Sequence, residues 1–195
     1  SARGDVEILR SSNGDIFALA HSDGDFYTAA PGGESEGDGN ADPGLYLYKL
    51  IGTGWDKHKL ASNPNGGFSA DFHPNGTLAI VYDSKIDSQS NSKLHYIVFD
   101  VDTGLVILNS TITDQGCGPK LDLTFGYSEN YGGYIPHVVW INNSDLMFSY
   151  GELQDGGHFS WTTTSIDSGN YNSFEPKIIV TNESKEAPGE GIYIA

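Results

Sequence analysis

The feature that most constrains this chain is a unit written three times: Asn13-Gly14-Asp15-Ile16-Phe17-Ala18-Leu19-Ala20, Asn75-Gly76-Thr77-Leu78-Ala79-Ile80-Val81-Tyr82 and Asn143-Ser144-Asp145-Leu146-Met147-Phe148-Ser149-Tyr150. Each copy is a turn dipeptide or a close relative followed by an apolar strand. The strand before each turn recurs too, as Asp5-Val6-Glu7-Ile8-Leu9, Phe68-Ser69-Ala70-Asp71-Phe72 and Ile135-Pro136-His137-Val138-Val139-Trp140. The copies stand about 60–70 residues apart, a blade or array period rather than a short solenoid period.

Between these anchors the chain alternates short apolar runs with Gly, Asn, Asp and Pro, and it has no long 3.6-period stripe with caps. The expectation is a single all-β domain over 1–195, built from β-propeller-type repeats. Three four-stranded blades fall at about 4–62, 66–129 and 132–186, with a partial repeat at 189–195. Blade one reads as Val6–Arg10, Ile16–His21, Leu45–Leu50 and Lys57–Leu60. Blade two reads as Phe68–Phe72, Leu78–Tyr82, His95–Asp100 and Leu105–Thr111. Blade three reads as Ile135–Ile141, Leu146–Tyr150, His158–Thr164 and Lys177–Thr181. The closing Gly191-Ile192-Tyr193-Ile194 reads as the first strand of a fourth unit. A closed propeller needs about four or more blades, so the expectation is a piece of a longer chain or an oligomeric ring. A β-trefoil is the structural alternative.

The run Gly67-Phe68-Ser69-Ala70-Asp71-Phe72-His73-Pro74-Asn75-Gly76-Thr77-Leu78-Ala79-Ile80-Val81-Tyr82-Asp83-Ser84, followed by Leu94-His95-Tyr96, resembles repeats of secreted bacterial propellers related to the sialidase (BNR-like) superfamily. Leu45-Tyr46-Leu47-Tyr48 with Gly54-Trp55 resembles the second half of that unit. The resemblance implies a propeller fold. That family also implies an intact Asp-box and an arginine triad that grips a substrate carboxylate. Neither is present: the arginines are Arg3 and Arg10 alone, which excludes a sialidase.

Hydrophobic residues make up 37% of the 195 and aromatics 12%, enough for a folded core. The formal net charge of −16 argues against nucleic acid and against an anionic membrane surface. No run reaches the roughly 18 apolar residues of a membrane span. Cys117 is the one cysteine, so an internal disulfide is impossible and a small loop or core role is the simpler reading. Sequons at Asn75, Asn109, Asn142 and Asn182, with the acidity and low lysine content, point to an extracellular or cell-surface protein.

Candidate site residues fall in three groups. Asp38, Asn40 and Asp42 place oxygen ligands at alternate positions of a long acidic insertion over 22–44, which suits Ca²⁺, although the calcium-loop pattern is incomplete. Asp23 and Asp25 form a weaker pair in the same insertion. Trp55 follows Gly-Thr-Gly and is the tryptophan expected to be exposed, as a sugar-stacking platform; Trp140 reads as core. Tyr127, Tyr131 and Tyr134 lie in an aromatic loop with polar residues between them, a composition suited to recognition. The six histidines lack transition-metal spacing, Asp100–Gly104 reads as a hairpin turn, and Arg3-Gly4-Asp5 opens the first strand.

These readings favour a non-catalytic extracellular binding or assembly module, most simply a lectin-like glycan binder with possible Ca²⁺. Its partner would be a glycan or a cell-surface protein, and a homo-oligomer is allowed. Two alternatives remain open. One is a structural subunit of a surface layer or filament. The other is part of a polysaccharide hydrolase or lyase, whose mark would be two close carboxylates, one with a raised pKa.

Overall fold

The computed structural model describes residues 6–22, 43–85, 92–114, 120–169, 175–181 and 191–195, and every regular element among them is a strand. The chain divides into two compact units, Ser1–Gly66 and Gly67–Ala195. The first unit holds one antiparallel sheet of β1 (Val6–Arg10), β2 (Ile16–Ser22), β3 (Gly44–Ile51) and β4 (Gly54–Ala61). A second sheet contains β5 (Pro64–Phe72), β6 (Leu78–Lys85), β7 (Ser92–Asp100) and β8 (Leu105–Thr113). A third contains β9 (Leu121–Ser128), β10 (Gly133–Asn142), β11 (Asp145–Leu153) and β12 (Phe159–Ser168). In each sheet the strand order is the chain order. This is the blade-type, all-β architecture expected from the repeats. It replaces the β-trefoil alternative, in which the repeats would share a common barrel.

The turns show why two of the sequence copies are equivalent and the third is not. Ser11 N–H donates to the Asp15 carbonyl at 2.9 Å and Gly14 N–H to the Ser11 carbonyl at 3.0 Å. His73, Gly76 and Thr77 repeat that pair of bonds at 2.9 and 2.8 Å. Gly14 and Gly76 both take positive φ, 89° and 94°, which a side chain would resist. Both turns join the first and second strands of their sheets. Asn143 and Ser144 instead sit at φ 47° and 81°, the two-residue geometry of a tight hairpin, between the second and third strands of the third sheet. The first strand of that sheet is Leu121–Ser128, so the sheet opens ahead of residue 132.

Lys177–Thr181 does not close the third sheet either. Ile178–Thr181 (β13) pairs with Gly191–Ile194 (β14) in a separate two-stranded sheet. The last strand therefore finds its partner within the chain. Alternation of apolar and polar residues is the same in every strand of such a meander, so it reveals strands without revealing their rank.

Burial follows the alternation. In β9, Leu121, Leu123 and Phe125 are buried, and Asp122 and Thr124 between them are half-buried. In β10, the whole run Ile135–Ile141 is buried, so both faces of that strand are covered. One core cluster joins the second and third sheets: Ala79, Val81, Leu94, Tyr96 and Ile112 meet Leu121, Leu123, Phe125, Val138 and Trp140. Trp161 of β12 fastens the outer strands by donating its indole N–H to Ser110 Oγ of β8 at 3.1 Å.

At the inner strands the sheets are joined by side chains. Asp122 Oδ1 accepts from Ser69 Oγ of β5 at 3.3 Å and from Lys177 Nζ at 3.1 Å; its Oδ2 accepts from Ile178 N–H of β13 at 2.9 Å. Thr124 Oγ1 donates to Asp71 Oδ2 of β5 at 3.3 Å. β13 approaches β9 so closely that a Cβ on Gly126 would stand 2.5 Å from Val180 Cγ1 and 2.9 Å from His137 Cε1. Gly126→Ala is therefore expected to destabilise the chain by about 1–3 kcal/mol through overpacking. In urea unfolding, Val180→Ala should cost less in the Gly126→Ala background than alone. Equal costs in both backgrounds would show that β13 does not pack there.

Candidate functional site

The end of the β9–β10 hairpin carries three exposed tyrosines of the second unit, Tyr127, Tyr131 and Tyr134. Tyr127 and Tyr134 are register partners across the hairpin, and a Glu129–Gly132 turn joins their strands. The sequence expectation of an aromatic loop is thus corrected: Tyr127 and Tyr134 stand on paired strands, and Tyr131 alone occupies the turn. The Tyr127 and Tyr134 rings meet edge to face, with centroids 5.5 Å apart and planes at 75°. They remain 41% and 38% exposed. This geometry holds the rings in place without covering both faces of either.

His73 completes the platform from the β5–β6 turn. Its ring lies 6.1 Å from Tyr134 and 4.9 Å from buried Phe125, at steep angles to both. Asn75 N–H donates to His73 Nδ1 at 3.1 Å, so in the neutral ring the proton sits on Nε2, leaving a donor at the edge of the platform. The two sheets reach this arrangement because the core cluster and the Asp71 and Asp122 bonds bring β5 alongside β9. The platform continues the apolar stripe Leu121, Leu123 and Phe125 out to the surface.

Tyr131 belongs to a different group. It hydrogen-bonds Glu152, and this bond, with smaller contributions from desolvation and from the charges of Glu152 and Tyr150, pushes its pKa up to about 12. Strand register places Tyr150 opposite His137, on the face of the third sheet away from Tyr134. The structure therefore brings together Tyr127 and Tyr134 and sets Tyr131 apart beside a carboxylate. Trp55 stands in the first unit, 51% exposed, opposite Leu50 next to the β3–β4 turn.

Several other sequence candidates have structural roles. Trp140 is core, at 1% exposure. Asp100 caps its own turn, accepting from Asp102 N–H at 2.9 Å and Thr103 N–H at 3.2 Å, and these bonds hold its pKa below the usual carboxylate range. Among the sequons, Asn75 lies exposed in its turn, its Oδ1 accepting from Thr77 N–H and Oγ1 at 3.0 and 2.8 Å. Asn109 is exposed on β8, and Asn142 is half-buried at the end of β10. Asp23, Asp25, Asp38, Asn40, Asp42, Cys117, Asn182 and Arg3-Gly4-Asp5 lie outside the described residues. Among the described residues, no three His, Cys, Asp or Glu side chains converge to hold a metal.

Sequence reasoning missed His73 as part of the platform, and it missed Asp71 and Asp122. Burial raises the Asp71 pKa above its ordinary value. The Phe72 N–H and Thr124 bonds oppose that shift, and the nearby Asp122 charge adds to it. The available signal was the parallel between Phe68-Ser69-Ala70-Asp71-Phe72 and Leu121-Asp122-Leu123-Thr124-Phe125, each with a carboxylate inside an apolar alternation.

No family model and no curated protein sequence matches the chain. Among solved structures it is similar to a fucose lectin from Kordia zhangzhouensis in complex with methyl-fucoside. The likeness has a TM-score of 0.43 and 12% identity, over 83% of this chain and 99% of that one. A likeness of that size identifies no site.

Behind the platform, on the opposite face of the sheet, buried His137 donates its Nδ1–H to the Ile135 carbonyl across 3.1 Å and stacks on Phe148 with centroids 5.8 Å apart. Burial holds its pKa below the ordinary 6.5, against the opposing effect of the Ile135 bond. The unfolded imidazole takes up a proton near pH 6.5 while the folded one stays neutral. The contribution of His137 is thus fully present above about pH 6.5 and is lost as the pH falls below it. His95, whose pKa is lowered by burial and by Lys93 against the charge of Asp114, acts in the same sense. The urea midpoint should fall between pH 7 and 5, and the fall should be smaller in His137→Gln. An identical pH profile in that variant would contradict the assignment.

Proposed function

We propose that this protein is a glycan-binding, lectin-like module, with Tyr127, Tyr134 and His73 as its sugar platform. The observation that carries the reading is a pair of half-exposed tyrosine rings held edge to face, with the His73 ring beside them, on paired strands of a rigid sheet. The faces of such rings cover the apolar face of a pyranose, and the phenol and imidazole edges supply hydrogen bonds to its hydroxyls. The platform contains no lysine or arginine, which suits an uncharged sugar. Ca²⁺ at Asp38, Asn40 and Asp42, glycosylation at the sequons and an extracellular location belong to the same proposal and stand on sequence alone.

One observation favours a hydrolase instead. Asp71 and Asp122 are close enough for the charge of one to raise the pKa of the other. Against it, both Asp122 oxygens are engaged with Ser69, Lys177 and Ile178, and Asp71 bonds Phe72 N–H and Thr124, so both carboxylates tie strands together.

A glycan array run with calcium and with a chelator tests the binding reading. Neutral glycans should be retained, and Tyr134→Ala should weaken them about tenfold, the size expected for one aromatic contact of about 1.4 kcal/mol. Calcium-dependent binding would add the Asp38–Asp42 loop to the site. No binding in either condition would sink the lectin reading, and release of reducing sugar that is abolished in Asp71→Asn would replace it with the hydrolase.

A further inference from the structure

Tyr131 belongs to a group of side chains that the Tyr127–Tyr134 platform does not use. In β11, Phe148, Tyr150 and Glu152 alternate with Ser149 and Gly151 and so share one face of the third sheet. Register places His137 and Thr162 on either side of Tyr150, Thr164 beside Phe148 and Ser160 beside Glu152, all on that face. The Phe148 and Tyr150 rings lie 6.2 Å apart at 38°, and both pack against the His137 ring. Tyr131 reaches the same group from the β9–β10 turn and hydrogen-bonds Glu152.

Exposure grades across this face. His137 is buried, Phe148, Tyr150 and Glu152 are half-buried, and Tyr131, Ser160, Thr162 and Thr164 are exposed. The result is a shelf of two aromatic rings with a third at its rim, a row of hydroxyls along one side and the Glu152 carboxylate at one end. The face that meets the second sheet is different in kind, since it packs Val138 and Trp140 against Ala79, Val81 and other apolar side chains. Hydroxyls and a carboxylate suit a solvated ligand better than another sheet.

Glu152 sets the class of that ligand, because the Tyr127–Tyr134–His73 platform has no carboxylate of its own. The Tyr131 hydroxyl donates to Glu152 and holds it beside the rings, and the remaining carboxylate lone pairs can accept from a ligand. Tyrosine faces attract a cation through their quadrupole. Between Lys120 and Lys177 the chain contains no lysine or arginine, so β10, β11 and β12 bring no such cation to compete. A ligand both cationic and rich in hydroxyls meets all of these features.

We propose that this shelf is a second saccharide site, for a protonated amino sugar such as a glucosamine residue. Its ammonium group sits against Glu152 and the Tyr131 ring, its pyranose ring covers Tyr150, and Ser160 and Thr162 bond its hydroxyls. The site is separate from the neutral-sugar platform and does not depend on it.

The test is calorimetric titration of the full chain with the deacetylated glucosamine trisaccharide, just below neutral pH where its amines are protonated. The comparison ligands are its N-acetylated form and a blocked trilysine of the same charge. The amino trisaccharide should bind about tenfold more tightly than either, and its advantage over the N-acetylated form should shrink as salt rises. Glu152→Gln should remove most of that advantage, and Tyr131→Ala should weaken binding severalfold, with circular dichroism checking that each variant is folded. With isotope-labelled tyrosine rings, the amino trisaccharide should shift Tyr131 and Tyr150, and should do so equally in Tyr134→Ala. The proposal is overturned by no binding of the amino trisaccharide, by equal binding of the N-acetylated form or of trilysine, by unchanged binding in Glu152→Gln, or by shifts confined to Tyr127 and Tyr134. Because Tyr134→Ala spares this site, its failure and the failure of the neutral-sugar reading are separable.

Discussion

The second unit depends on the carboxylate of Asp122. A four-stranded meander pairs its strands with one another but has no backbone ladder to the next meander, so neighbouring sheets are joined by packing and side chains. Asp122 sits on the innermost strand of the third sheet and accepts hydrogen bonds from Ser69 of the second sheet and from Lys177 and Ile178 N–H of the two-stranded one. The buried-side bond from Ile178 N–H is the strong one, since hydrogen bonds to a charged acceptor are worth about 1.5–3 kcal/mol, and the exposed Lys177 pair adds at most about 1 kcal/mol. One carboxylate thus ties together β5, β9 and the strand that begins at Ile178. Asp71 and Thr124 add a second tie between the same two sheets.

The aromatic platform follows from that fastening. His73 belongs to a turn of the second sheet, and Tyr127 and Tyr134 to a hairpin of the third. They meet because β5 and β9 are held side by side and because Phe125, beneath them, closes the end of the shared core. The platform is thus a property of two sheets rather than of one repeat. The first sheet arrives at a different surface by the same alternation. One set of positions buries Phe17, Leu19, Leu45 and Leu47, and the other exposes Val6, Ile8 and Trp55.

Much of this was legible in the chain. The turn-and-strand repeats announced an all-β fold of four-stranded units, and Trp55, Trp140, Tyr127 and Tyr134 have the exposure or burial their neighbours suggested. The rank of each strand was not legible. Asn143-Ser144 and Asn75-Gly76 look alike as turn signals, yet one makes a two-residue hairpin and the other a longer turn at a different place in its sheet. Leu121–Ser128 reads locally as loop because of its tyrosine and the glycines that follow it, yet it forms the first strand of the third sheet. With that place filled, Ile178–Thr181 pairs with Gly191–Ile194 instead of closing the third sheet. Contacts such as Ser69 with Asp122, or His73 with Tyr134, bridge more than fifty residues and have no local signature.

The central claim is that Tyr127 and Tyr134 form a sugar platform held by the joined second and third sheets. The most direct measurement is an NMR titration of the chain carrying isotope-labelled tyrosine rings against neutral methyl glycosides. The account predicts saturable shifts at Tyr127 and Tyr134, with buried Tyr96 unmoved. Saturable binding that leaves both rings unshifted, or no binding by any neutral glycoside, would contradict it.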